Sequence, residues 1–388
     1  MKSNWNRERL EDVFVLQMGK TPARQVDRYW NNGTKKWVSI ADIGKTSRYI
    51  EKTKEQITDE AISESGIRQV PANTLIMSFK LSLGKVAITR EPLYTNEAIM
   101  AFIDRGKYQL SLSFLFHLFK NKDWSDGTNK AVMGITLNKA TLKDIVIPIP
   151  PLQEQEQIAK KLDAIYNLKS IQEEQLRKLE WLASSRFIEM FGNETKAKVS
   201  LGGYSEISGG ITKNSRRKNL PLKMPYLRVA NVFFNAIDTS ELLRIGVTEE
   251  EYTKTLLKNN DLLFVEGNGS PDQIGRVALW DARITPCLHQ NHLIRVRLDK
   301  SFNPYYVLHY FMSQEGRQQI ITSAVSTSGL HTLSVGKISK FTLPKPELKK
   351  QNEFATFVEQ LDKSKVTIRK SIEKLELLYK ALLQEYFG

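Results

Sequence analysis

The sequence predicts an α+β fold. Two similar globular domains of mixed α/β structure are separated by two long helices that form an antiparallel coiled coil, and the whole is pseudo-twofold. Three observations carry this prediction. The stretch 146–192 occurs twice, because sliding it by 196 positions lays it without a gap on 342–388. Each copy carries one apolar stripe at helical spacing. The segments before the copies, 1–145 and 193–341, follow the same order of strand-like and turn-like stretches.

The duplication rests on identities. Pro148, Pro150, Leu152, Gln155 and Ala159 meet Pro344, Pro346, Leu348, Gln351 and Ala355. Leu179, Glu180, Leu182, Glu189, Phe191 and Gly192 meet Leu375, Glu376, Leu378, Glu385, Phe387 and Gly388. With Lys169/Lys365 and Lys178/Lys374 there are 13 identities in the 46 positions from Ile147. A repeat at this spacing governs the fold reading before any local pattern does.

Each copy reads as one long helix. Prolines at 148, 150, 151, 344 and 346 stop what precedes it. Glu154 and Glu156 sit in the first turn, where carboxylates suit the helix dipole, and Gly192 suits a C-terminal cap. Leu162, Ile165, Leu176 and Leu179 in the first copy, and Val358, Leu361, Ile372 and Leu375 in the second, keep the alternating 4,3 spacing of a coiled-coil seam. Connectivity sets the direction. The chain runs globe, helix, globe, helix, so mutual packing makes the helices antiparallel, which also keeps Lys169 off Lys365. About 36 residues at about 1.5 Å each span about 54 Å. The predicted domains are 1–145, 146–192 (first helix), 193–341 and 342–388 (second helix).

Net charge is +14 with a sequence pI near 9.5, which points to a polyanionic partner such as nucleic acid. A single cysteine, Cys287, excludes a disulfide framework within the chain and fits a reducing cytoplasm. The polar N-terminus lacks a signal peptide's apolar core. No apolar run is long enough for a membrane span.

In 1–145 the stretches 37–43, 74–79 and 85–89 read as strands and 110–120 as a buried helix. In 193–341 the stretches 226–232, 261–265 and 275–279 answer the strands in order. Asn291-His292-Leu293-Ile294 answers Asn96-Glu97-Ala98-Ile99, and Thr332, Leu333 and Ile338 answer Thr136, Leu137 and Leu142. The frame is shared while the loops between matched strands differ, as in two readers of different targets or in loops relaxed from selection.

Several motifs fail on spacing. Gly19-Lys20-Thr21 and Gly44-Lys45-Thr46 lack the upstream Gly of a phosphate loop, since Phe14 and Ser39 stand there. Gly267-Asn268-Gly269 with Gly275 is no dinucleotide fingerprint. Cys287 and His289 share a strand face but His292 points away, and a closed zinc site wants four ligands. Asn303-Pro304-Tyr305-Tyr306 lacks the second Pro of the amino-methyltransferase motif; Asn303 as N-cap and Pro304 at the first helical position account for it. The loop 213–218 is different. Lys213, Arg216, Arg217 and Lys218, with Arg228 downstream, suit phosphate oxygens and guanine edges. Further candidate DNA contacts on matched loops are Lys80, Lys85, Asn96 and Lys130 in the first globe, and Asn268, Gln273, Arg276, Gln290 and His331 in the second. No residue is assigned a catalytic or metal-binding role.

These features together resemble the specificity (S) subunit of type I restriction-modification systems over the whole chain. The segment 147–155, Ile-Pro-Ile-Pro-Pro-Leu-Gln-Glu-Gln, is similar to the family's approach to its first central helix. The segment 343–351 is a degenerate second copy in which Lys349 and Lys350 depart from the acidic pattern. The resemblance implies two target recognition domains, each reading half of a split site in double-stranded DNA, with the helices setting the unread spacer. It implies two methyltransferase (M) subunits that carry S-adenosylmethionine and methylate adenine N6, and restriction (R) subunits that bring ATP and Mg. The chain itself would be non-catalytic and bind no cofactor. The alternatives are a self-contained DNA methyltransferase or nuclease, and a coiled-coil scaffold for RNA partners.

Overall fold

A computed structural model describes residues 5–80, 82–124, 137–193, 197–327 and 330–388. The chain divides into two compact units, one of residues 1–174 with 369–388 and one of 175–368. Each unit therefore contains one globe, half of the first long helix and half of the second. The helices are Leu152–Phe191 and Leu348–Phe387, each 40 residues, or about 60 Å at about 1.5 Å per residue. They are longer than the seam spacing alone indicates.

In the first unit, a five-stranded sheet runs Phe14–Met18, Ile99–Asp104, Leu75–Ser78, Val86–Thr89, Tyr49–Ile50. A three-stranded sheet runs Glu55–Ile57, Lys35–Val38, Tyr94–Thr95, with its last pair parallel. The second unit repeats this. Ser205–Ser208, Leu293–Leu298, Leu262–Val265 and Val277–Leu279 form a four-stranded sheet. Leu243–Val247, Leu222–Leu227 and Leu288–His289 form the three-stranded one, again with its last pair parallel. A buried helix covers the larger sheet in each: Leu112–Asn121 capped by Ser111, and Pro304–Met312 capped by Asn303 with Pro304 in its first turn. Their register matches, since Phe114 to Phe119 and Tyr306 to Phe311 are all buried.

Three sequence expectations need correction. The stretch 37–43 is not one strand: Lys35–Val38 is strand and Ile40–Lys45 is helix. Asp42 accepts the Ser39 N–H at 2.8 Å and its hydroxyl at 2.7 Å, and this local capping overrides the alternation. The stretch 226–232 breaks likewise after Leu227 into a turn of 3₁₀ helix, Val229–Asn231, where Asn231 Oδ1 accepts the Arg228 N–H at 2.8 Å. The segments 146–192 and 342–388 are not helical from their start. Val146–Ile149 pairs with Asn6–Arg9, and Thr342–Pro344 with Lys198–Ser200.

Two matched glutamines join helix to globe. Gln155 and Gln351 are both fully buried. Gln155 Oε1 accepts the Ser111 N–H at 2.8 Å, and its amide donates to Pro150 O at 2.8 Å and Gln109 O at 3.0 Å. Gln351 Oε1 accepts the Asn303 N–H at 2.9 Å and its amide donates to Pro346 O at 2.9 Å. Each glutamine thus ties the N-cap residue of the covering helix to the proline turn of the long helix, where buried backbone groups would otherwise lack partners.

The helices run antiparallel within each unit. In the first, Lys169 Nζ meets Glu376 at 2.7 Å and Gln172 donates to Ser371 Oγ at 2.8 Å. In the second, Phe187 and Phe191 lie 5.4 and 5.7 Å from Phe354. Of the seam, Leu162, Val358 and Leu361 are buried, while Ile165, Leu176, Leu179, Ile372 and Leu375 are half-buried. Lys365 is buried on the stripe and paired with Asp362 of its own helix at 3.0 Å. A polar group joins the first unit's seam to its globe. Asp163 accepts from Arg48 at 2.6 Å, Ser113 at 2.5 Å and His117 Nε2 at 2.8 Å, while Tyr379 Oη bonds His117 Nδ1 at 2.7 Å. Burial lowers the pKa of His117 below its ordinary value, so the neutral ring donates to Asp163 and accepts from Tyr379. Burial alone would raise the Asp163 pKa, but its hydrogen bonds and Arg48 bring it down to about 2.

The latch gives a stability prediction. Gln351→Leu leaves the Asn303 N–H and the Pro346 carbonyl buried without partners. It should cost about 2–6 kcal/mol, at about 1–3 kcal/mol per orphaned group, read as a lower urea midpoint. A midpoint unchanged from the parent would show that the glutamine does not hold the helix to its globe.

Candidate nucleic-acid interface

In the second unit, candidate residues gather around the ends of two parallel-paired strands, Leu222–Leu227 and Leu288–His289. The Gln290 N–H donates to Leu227 O at 2.9 Å, just before Arg228. Ile211 bridges to Gln290, so the loop 213–218 starts beside it. Arg276 donates to Val229 O at 3.3 Å and its guanidinium lies 5.5 Å from the centre of the exposed Phe233 ring. Asn268 pairs in a strand with His331. Glu266, two residues before Asn268, bonds His292 at 2.7 Å, which returns the path to Asn291 and Gln290. Arg228, Arg276, Gln290, Asn268 and His331 thus lie along one continuous run of contacts.

The cations in this run differ in how they are held. Arg217 is largely buried by a two-bond pair with Glu251, at 2.7 and 2.9 Å, and donates to Thr212 O and Gly246 O at 2.6 and 3.1 Å. The Arg217 hydrogen bonds lower the Glu251 pKa to about 2. This pair fixes the loop, so that Arg216 and Lys218 stand exposed on a 3₁₀ turn, Ser215–Asn219, with Lys213 exposed just before it. Arg228 reaches the exposed Glu241 at 3.4 Å, a weak surface pair. Burial lowers the Arg276 pKa from its ordinary value. Gln273 is exposed on the loop between Val265 and Val277.

In the first unit, Lys80 and Lys85 flank the matching loop between Ser78 and Val86. Lys80 Nζ lies 5.3 Å from the Phe79 ring centre and Lys85 is exposed. Asn96 turns its Oδ1 back to the Ala98 N–H at 3.1 Å and donates its own N–H to Val38 O at 3.1 Å. It holds the strand end that Gln290 and Asn291 hold in the second unit. Lys130 lies outside the described residues. Phe233 was not singled out by sequence reasoning; the pair Phe233-Phe234 ahead of Asn235, whose φ is +48°, is the hairpin signal that could have found it.

Cys287, His289 and His292 do not converge. Cys287 and His289 are buried, the thiol pushed up to about 12 and the imidazole down to about 4 by burial. His289 Nδ1 donates to Thr255 O at 3.0 Å, whereas His292 is exposed on Glu266. Among the described residues no cluster of three His, Cys, Asp or Glu could hold a metal. No described helix is long and apolar enough to cross a membrane.

The repeated module has its counterpart among known proteins. The family model described as type I restriction modification DNA specificity domain matches twice, over residues 2–180 and 193–377. The chain belongs to this family. Each match joins one globe to most of the long helix that follows it. The type I restriction enzyme MjaIX specificity subunit of Methanocaldococcus jannaschii is 25% identical, over 98% of this chain and 92% of its own length. The EcoKI specificity subunit of Escherichia coli is 24% identical, over 76% and 68%. A type I restriction-modification S subunit from M. genitalium shares the fold, with TM-score 0.56 at 15% identity, covering 100% of this chain and 98% of its own. As a specificity-family member, the chain is a DNA-recognition subunit.

The geometry separates the loop-fixing Arg217 from the exposed Arg216. Arg216→Ala should lower the slope of log K against log salt by about 1 and leave folding stability within about 0.5 kcal/mol. Arg217→Ala should instead destabilise by about 1–3 kcal/mol, because Glu251 and two carbonyls lose their donor. Equal salt slopes for Arg216→Ala and the parent would remove Arg216 from the interface.

Proposed function

We propose that the chain is the non-catalytic specificity subunit of a cytoplasmic type I restriction-modification complex and reads a bipartite DNA site. The domains 1–145 and 193–341 act as target recognition domains, one per half-site, and the helical segments 146–192 and 342–388 set the spacer. Two methyltransferase subunits carry S-adenosylmethionine and methylate adenine N6, and restriction subunits supply ATP- and Mg-dependent cleavage; this chain binds none of these cofactors. The carrying observation is the module that occurs twice with one frame and unlike loops. A latch glutamine is common to both copies, while the loop 79–85 of the first is answered by the longer 266–276 of the second.

In this reading Lys213, Arg216, Lys218 and Lys85 bind phosphates, and Arg228, Asn268, Gln273 and Gln290 stand where base edges can be read. Arg217 positions the loop. The partner surface is the outer side of the long helices. Trp181 and Leu377, at matched positions of the repeat, are 70% and 69% exposed, and large apolar side chains left in water at repeated positions mark an interaction face.

Two tests follow. Exchanging 193–341 for another module of the family should change one half of the methylated motif and leave the other; methylome sequencing reads this, and a change in both halves would refute independent reading. Inserting one heptad after Gln172 and one after Lys370 adds about 10 Å to each helix. The preferred spacer should grow by about three base pairs, at about 3.4 Å each, with both half-sites unaltered. An unchanged spacer would refute the ruler.

A further inference from the structure

A short hairpin of the second unit sets an aromatic ring against each of two arginines. Its strands are Val232–Phe233 and Ala236–Ile237, and the Asn235 N–H between them donates to Val277 O at 2.9 Å. That bond fixes the hairpin to the strand that Arg276 leads into. Phe234 lies 4.9 Å from the Arg317 guanidinium and Phe233 lies 5.5 Å from that of Arg276, both within cation–π range. The two arginines are used differently. Arg317 donates to Ile274 O at 2.8 Å, Asp272 O at 3.3 Å and Gly275 O at 3.4 Å, so it clamps the loop that Arg276 closes. Arg276 has one acceptor among the described residues, Val229 O at 3.3 Å.

A guanidinium carries five N–H donors and stays charged. Arg217, Arg295 and Arg297 of the same unit each meet a carboxylate, on Glu251, Glu206 and Asp261. Arg276 meets none among the described residues, and its Nε is buried without a partner. Burial lowers its pKa from the ordinary value, with no acidic group to offset it. A charge left partly desolvated and unpaired costs stability, and such local costs belong to sites whose acceptors come from a ligand. Phe233 is 44% exposed, so its ring braces the guanidinium and still stands at the surface.

The first unit delivers a cation to the matching place. Lys85 follows Gly84, with φ +80°, as Arg276 follows Gly275, with φ +60°. Lys85 Nζ packs on Gly44, 3.1 Å from where a Cβ would stand. Gly44 lies in the helix that follows the central strand of the three-stranded sheet, and Val229 opens the 3₁₀ turn at that point of the second unit. Lys85 is exposed, a point charge without a fixed plane, which suits a phosphate. A recessed planar fork held in one orientation suits two coplanar acceptors instead. Guanine O6 and N7 present such a pair on a base edge.

We propose that Arg276 reads a guanine through O6 and N7 in the half-site of the second module, and that Phe233 and Val229 O hold its guanidinium in the plane this requires. Arg276 is then a specificity-determining residue and Phe233 a positioning residue. The inference rests on the reading of 193–341 as the reader of one half-site.

The full chain, assembled with its methyltransferase subunits, methylates duplexes randomised over both half-sites, and sequencing the methylated products gives the motif. One half of the parent motif should hold a G·C pair that Arg276→Lys relaxes, with about tenfold less discrimination against the other base pairs. The other half and the salt slope should not change, because the charge is kept. Phe233→Ala should relax the same pair, and Phe233→Tyr should retain it. Phe233 is exposed, so these two variants decide the matter even where Arg276→Lys lowers the melting point. A parental motif in Arg276→Lys, with Arg276→Ala weakening all sequences alike and lowering the salt slope by about 1, would make Arg276 a phosphate contact and overturn the proposal. Relaxation at an A·T pair, or in both halves, would overturn it too. Exchange of 193–341 that leaves both halves unaltered would instead sink the half-site reading itself.

Discussion

Each half of this protein depends on one buried glutamine amide. Gln155 and Gln351 sit where a proline turn, the start of a long helix and the start of a covering helix meet, and all three bring backbone groups that lack regular partners. A glutamine supplies an acceptor and two donors at one point. An apolar residue of the same size would leave these groups unpaired. The surrounding prolines stop the preceding strand and free no N–H to compete. This explains why glutamine and the prolines are among the identities that survive between two copies whose loops have diverged.

The long helices meet their globes through fully buried residues such as Gln155 and Gln351, while much of their mutual seam is half-buried. Their seam is buried at both ends by Leu162, Leu383, Phe354 and Val358, but the middle members are half-buried and polar pairs take over. Lys169 with Glu376 and Gln172 with Ser371 fix register more than they stabilise, since part-exposed ion pairs are worth little. A seam built this way favours one alignment and leaves apolar side chains such as Trp181, Leu182, Leu377 and Leu378 on the outside. The candidate recognition surface follows a similar division. Arg217 is drawn inward by Glu251, and its immobility holds Lys213, Arg216 and Lys218 outward.

Much of this was legible in the residues. The repeat, the helix seam, the antiparallel direction and the cap at Asn303 all rest on local chemistry or on periodicity, which a sequence displays directly. Two strands were drawn too long, at 37–43 and 226–232, because Ser39 with Asp42 and Arg228 with Asn231 form side-chain caps that alternation does not reveal. Phe233 was missed because an exposed aromatic on a short hairpin carries no period. Arg217 was grouped with its basic neighbours because a run of cations does not say which one finds a carboxylate 34 residues away.

The sequence by itself determined the duplicated architecture, the helix pair and the family, since each follows from spacing that survives along one chain. Only the tertiary structure decided which matched positions are equivalent in role. Both ring nitrogens of His117 are bonded, whereas the Nε2 of His309 has no partner among the described residues. The reason is physical: a hydrogen bond or a filled cavity is a relation between residues far apart in the chain, and it exists only after folding has brought them within contact.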